Sequence, residues 1–133
     1  MSGTYLSHLT AVFAAQAAMT EYAAGGFYER LDAMGEYFYG EFQRLIDKRG
    51  VKLRLQHVGP RFGLYFGIDS KQPVRNYRDA AQQNHAQMLA FVRGVIQRGV
   101  YFHVSAHHGF SAAHTEADLD KALDAIDGAL SDL

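Results

Sequence analysis

Phe27, Leu31, Met34, Phe38, Phe42 and Leu45 recur in steps of three and four. They draw one apolar stripe along a helix from about Phe27 to Lys48, which Gly50 closes. Upstream, an alanine-rich run starts near Ser7 or Thr10 and reaches Ala24, where Gly25-Gly26 stop it; alanine is the strongest helix former and glycine a frequent terminator. The period then changes from helical to two. Phe62, Leu64, Phe66 and Ile68 alternate with smaller or amphipathic neighbours, which predicts a strand over Phe62–Ile68 with one buried face. Leu53–Val58 predicts a second strand, and the Gly59-Pro60-Arg61 turn joins the two as a hairpin. A third helix is predicted over Tyr77–Arg98 on the stripe Ala81, His85, Met88, Val92 and Val95, ended by Gly99. Val100–His103 and Gly109–Ala113 read as two short strands around a loop. The last helix starts at Thr115, with Asp118 in the position of a capping-box partner, and turns Leu119, Leu123, Ile126 and Leu130 inward. The order α-α-β-β-α-β-β-α predicts an α+β two-layer sandwich, a small, mostly antiparallel sheet with helices on one face. The first helix is separable, and its alanine-rich faces suit packing against something outside this chain.

Composition narrows the class. The 133 residues fit one domain, and 48% apolar against 20% charged residues permits a packed core. A net charge of -1 without a basic stripe argues against a nucleic-acid partner, although 13% of the residues are aromatic. Tyr22, Tyr28, Tyr37, Tyr39 and Tyr77 fit better as packing residues with a wet hydroxyl. The absence of cysteine excludes disulfides and thiolate metal sites. The most apolar stretch, Ala11 to Met19, is too short to span a bilayer and lacks the basic flank of a signal peptide. A cytoplasmic protein with no membrane partner is therefore expected.

Several motifs fall in an order that resembles one family. Gly3-Thr4-Tyr5 stands before the alanine-rich helix. Val58-Gly59-Pro60-Arg61-Phe62-Gly63-Leu64-Tyr65-Phe66 forms the hairpin, and Asn76-Tyr77 opens the next helix. Arg98-Gly99-Val100-Tyr101-Phe102 leads through a short loop into Gly109-Phe110-Ser111-Ala112-Ala113-His114-Thr115. This set resembles the C-terminal small domain of the class III pyridoxal-phosphate-dependent aminotransferases of the glutamate-1-semialdehyde 2,1-aminomutase type. The resemblance implies a fold type I domain, pyridoxal 5'-phosphate as cofactor, a small amino acid as substrate and a homodimer with active sites at the subunit interface. It also implies the division of the chain: residues 1–24 as an interdomain helix region and residues 25–133 as the C-terminal small domain. Three departures stand out. Leu6-Ser7-His8-Leu9 replaces the family's "SGNP", Arg61 stands where a small residue is usual, and His103-Val104-Ser105-Ala106-His107-His108 replaces a loop that carries an acidic residue. A transaminase acting on another amino acid is thus as consistent with the pattern as an aminomutase.

Candidate chemistry follows from these positions. Thr4 offers a hydroxyl and a backbone N–H near a helix start, which suits a phosphate. The resemblance implies that Gly3 and Thr4 bind the cofactor phosphate of a neighbouring subunit; the plain alternative is a polar residue at a frayed end. Arg61 is able to grip a substrate carboxylate with two parallel hydrogen bonds, or to be a solvated turn residue. His103, His107, His108 and His114 invite a metal reading, but no zinc-type spacing is present, and adjacent His107 and His108 point oppositely on a strand. No metal is expected. The resemblance implies that His107, His108 and Arg61 line the substrate.

No catalytic residue is assigned. The cofactor requires a lysine amine, and Lys48, Lys52, Lys71 and Lys121 all sit in polar contexts outside any matching motif. A chain that opens mid-motif is expected to be a piece of a longer enzyme and inactive by itself. The alternative is a non-catalytic α+β ligand-binding or regulatory module.

Overall fold

The computed structural model describes residues 8–105 and 107–133. Helix α1 spans Leu9–Ala23, with His8 as its N-cap, and none of its residues is buried. Helix α2 spans Phe27–Arg49 and buries Leu31, Gly35, Phe38, Tyr39, Phe42 and Ile46; Gly50, at φ +64, ends it. The φ value explains the glycine, since a side chain resists the left-handed region.

Strand β1 (Leu53–Val58) and strand β2 (Arg61–Phe66) pair antiparallel from Leu53↔Phe66 to Val58↔Arg61. This register turns Leu53, Leu55, Phe62, Leu64 and Phe66 to the inner face, where all are buried. Helices α3 (Tyr77–Ala80) and α4 (His85–Gln97) follow, then the two-residue strand β3 (His108–Gly109) and helix α5 (Glu116–Ser131). The sheet order is β1-β2-β3, all antiparallel. Helices α2 and α4 cover its inner face, and α5 packs on both. The α4–α5 contact is close because Gly94 lacks a side chain; a Cβ there would lie 3.0 Å from the Cβ of Ala129. On the outer face Gln56 bonds both backbone groups of Val74, at 2.9 and 3.1 Å, and holds the following loop across the sheet.

The α+β fold with helices on one face, the hairpin and the capping box Thr115–Asp118 match expectation. Other elements differ. The helix expected over Tyr77–Arg98 is two pieces. Asn84 breaks it: its N–H donates to Phe66 O at 2.7 Å, and its side chain then caps α4 by accepting from Gln87 N. That tertiary bond outweighs the helical pattern on either side. His85, expected in the buried stripe, is exposed in the first turn of α4, and Phe91 takes the central buried place.

The strand expected over Val100–His103 does not form, and the one over Gly109–Ala113 is reduced and shifted to His108–Gly109. The backbone is engaged elsewhere: Val100 N donates to Val95 O, and Phe110 N to Pro60 O. Strand β2 begins one residue earlier than predicted, at Arg61, and stops before Gly67, whose φ is +79. Among the described residues no helix is long and apolar enough to cross a membrane.

Candidate functional site

The open edge of β2 is where the predicted residues meet. Arg61 pairs with Gly109 and Phe62 with His108, so the short β3 lies against the hairpin's turn end. Gly109 allows this approach. A Cβ at that position would lie 2.8 Å from the Pro60 carbonyl oxygen and 2.9 Å from Arg61 Cδ. The Arg61 side chain therefore lies across the Gly109 backbone.

Between β3, residues 100–103 and the start of α5 is a cleft of about 270 Å³. Its walls include Phe62, Tyr101, Phe102 and Phe110, and its polar groups are Arg61, His103, His107, His108, His114 and Asp118. His107 lies just before β3 and His108 within it, and both border the cleft. His107 is exposed and also borders a groove of about 170 Å³ on the outer face of the sheet, beside Arg61, Gly63 and Tyr65. His108 is only 7% exposed. Its ring lies 5.1 Å from Phe62 and 4.8 Å from Phe102, centroid to centroid. Its Nε2 has no hydrogen-bond partner among the described residues. The structure thus brings Arg61, His107 and His108 together; Gly3 and Thr4 lie outside the described residues.

Burial lowers the His108 pKa from 6.5 to about 4, with smaller contributions from His103, His107 and Arg61. The folded ring stays neutral where the unfolded ring is protonated, so stability is fully present above pH 6.5 and falls as pH drops toward 4. The expected slope is up to about 1.4 kcal/mol per pH unit from this residue. Urea midpoints measured from pH 7 to pH 4 in wild type and His108→Phe test this. Parallel pH curves for the two proteins would show that His108 titrates normally.

One feature was not read from the sequence. Ser105 and Ser111 hold the rings of His103 and His114 through their Nδ1 atoms. The signal was present, a serine two residues after one histidine and three before the other, but nothing local marks which atoms meet. The Asp118 carboxylate accepts from both the N–H and the hydroxyl of Thr115, at 2.8 Å each, which lowers its pKa. Its role is the helix cap.

No protein-family profile matches the chain. Curated sequences do. Over 129 residues it is 31% identical to the glutamate-1-semialdehyde 2,1-aminomutase of Psychrobacter cryohalolentis, covering 95% of this chain and 30% of that protein. With the Neisseria meningitidis enzyme of the same name it shares 38% over 100 residues, 74% of the chain and 23% of the enzyme. The chain is similar to one segment of the glutamate-1-semialdehyde 2,1-aminomutases.

It spans less than a third of these aminomutases' length, a share consistent with their C-terminal domain. Solved transaminases share the fold. An omega-transaminase from Sphaerobacter thermophilus superimposes with a TM-score of 0.69 at 19% identity, over 79% of this chain and 24% of that one. The beta-phenylalanine aminotransferase of Variovorax paradoxus does so at 0.66 and 20%, over 74% and 22%. A transaminase with bound pyridoxal phosphate gives 0.64 at 17%, over 83% of this chain and 24% of that one.

The lysines of this chain do not furnish an anchor for that cofactor. All four lysines are exposed, Lys48 is 3.4 Å from Asp127, and none lines the cleft. Among the described residues, no group of three or more histidine, aspartate or glutamate side chains is placed to hold a metal.

Proposed function

We propose that the chain is the C-terminal small domain of a pyridoxal-phosphate-dependent aminotransferase or aminomutase. That enzyme would move an amino group on or between small amino and keto acids. The observation that carries this is the sequence match over 95% of the chain to under a third of an aminomutase. The cofactor supplies the electron sink for amino-group chemistry when bound; the lysine that holds it comes from outside these residues. In this reading residues 25–133 form the small domain and residues 1–24 lead in from the large one. Gly3 and Thr4 reach the cofactor phosphate, while Arg61, His107 and His108 line the substrate's far end. The aromatic walls exclude water and Arg61 orients a carboxylate. The parent is a cytoplasmic homodimer.

An antibody raised against this chain, applied to extracts of its native cells, tests the reading. A band at about three times the chain's 14.8 kDa is expected, since 129 aligned residues are 30% of one relative and 100 are 23% of the other. A band only at the chain's own mass would overturn the parent enzyme and favour a free-standing ligand-binding module.

Helix α1 bears on the same point. Leu9, Val12, Phe13, Met19 and Tyr22 are all 44–69% exposed, and its residues are apolar on every side apart from a few polar positions. Helices of that kind are normally covered. The 133-residue chain is expected to self-associate through α1, and Phe13→Glu to shift it toward monomer in sedimentation velocity. Monomer throughout at high concentration in the wild type would remove the role given to α1.

A further inference from the structure

We propose that residues 108–110 form an acid-sensitive latch: protonation of His108 frees them from the edge of β2 while the hairpin and the helices stay folded. The attachment is small. Strand β3 meets β2 in two residue pairs, Arg61↔Gly109 and Phe62↔His108, and Phe110 N adds one bond to Pro60 O at 3.1 Å. The hairpin beside it has six pairs. Much of the hold therefore comes from two rings. His108 sits between Phe62 and Phe102, and the Phe110 ring centroid lies 6.0 Å from those of both Phe38 and Tyr39.

A neutral imidazole suits this slot and an imidazolium does not. His108 Nε2 is buried with no hydrogen-bond partner among the described residues. A proton added there brings a charge with no acceptor, which costs far more than burying the neutral ring. The faces of Phe62 and Phe102 recover only part of that cost. The charged and titratable neighbours do not offset it. Strand β2 contributes Arg61, residues 100–107 contribute Tyr101, His103 and His107, and His114 and Asp118 stand at the start of α5. Helix α2 lends the cleft only Phe38. Asp118 is the one acid among these described residues, and its Oδ2 is already taken by the N–H and hydroxyl of Thr115. The closed ring accordingly has its pKa lowered to about 4, chiefly by burial. A freed ring returns to 6.5, so the open form gains population as pH falls below that value.

Fixed points on either side confine the opening. Val100 N is bonded to Val95 O at 3.3 Å, and His114 N to Ser111 O at 3.0 Å. Phe42, Phe91, Val92, Val95 and Ile126 are 0% exposed and none borders the cleft, so the packing of α2 and α4 with α5 persists without the latch. Release bares the outer edge of β2 and opens the aromatic wall of the cleft to water. It needs no cofactor and no other domain, and it does not rest on the enzyme reading.

Native-state hydrogen exchange on the 133-residue chain, followed by NMR, tests the latch. The Phe110 N–H should exchange through an opening that low urea does not accelerate, whereas core amides of α2 and α4 show the full urea slope of unfolding. After correction for intrinsic exchange, that opening should become roughly twentyfold more populated from pH 7 to pH 5, given the closed and open ring pKa values. His108→Phe keeps an aromatic ring in the slot but removes the titration, so its opening should change less than about twofold over the same range. A Phe110 urea slope equal to that of the core amides would overturn the proposal, and so would an opening in the wild type that ignores pH. Neither of these results depends on a variant. The same pH response in His108→Phe would overturn it as well.

Discussion

Incubated with pyridoxal phosphate and an amino donor, the 133-residue chain turns over nothing, and borohydride fixes no cofactor on any one lysine. This is the larger of the two main expected effects, a complete absence of activity. Amino-group transfer through this cofactor begins at a lysine amine placed beside the substrate and sheltered from water. Lys48, Lys52, Lys71 and Lys121 are all exposed, and none borders either the cleft or the outer groove beside Arg61 and His107. A lysine amine open to water lacks the sheltered neighbours that activate it as a nucleophile. Random surface reaction would label all four weakly. Peptide mapping after reduction distinguishes the cases: stoichiometric label on a single lysine, with a stable visible absorbance band, would show that the chain carries its own cofactor site.

Phe42→Ala is expected to cost about 3–5 kcal/mol of folding stability. Phe42 is 0% exposed at the centre of α2. Its ring lies 5.8 Å from Phe38, 6.4 Å from Phe62 and 6.5 Å from Phe91, so it joins α2, the sheet and α4. Removing it deletes apolar area and leaves a cavity that three rigid rings cannot close. Against a typical total of roughly 5–15 kcal/mol, that loss leaves the domain near its unfolding midpoint. Tyr77→Ala serves as the control, since Tyr77 is 85% exposed and its loss should change stability by less than about 0.5 kcal/mol. Urea unfolding followed by circular dichroism measures both. A loss below about 1.5 kcal/mol for Phe42→Ala would mean that the cluster repacks freely and does not define the core.

Much of the fold was legible because its signals are local. The stripe of α2 needs only the 3.6-residue period, and Leu31, Phe38 and Phe42 are buried as that period requires. The hairpin needs only alternation and the Gly59-Pro60 turn, and the cap of α5 needs a threonine and an acid three residues apart. The proximity of Arg61 to His107 and His108 was legible too, through motif order.

Tertiary structure alone decided the rest. Asn84 ends one helical turn and starts another because its N–H meets the Phe66 carbonyl, a partner 18 positions away by their numbering in the chain. Val100–His103 has the composition of a strand but does not pair: Val100 N turns back to the Val95 carbonyl, and β2 receives His108–Gly109 instead, where Gly109 allows the Pro60 carbonyl within reach. The same pairing buries His108 between Phe62 and Phe102 and leaves His107 exposed, a distinction two adjacent histidines cannot carry in sequence. Periodicity and capping depend on neighbours within about one turn, so the chain itself specifies them. Strand pairing, ring burial and the tautomer of an imidazole depend on atoms brought together from distant positions, and only the folded arrangement of those atoms determines them.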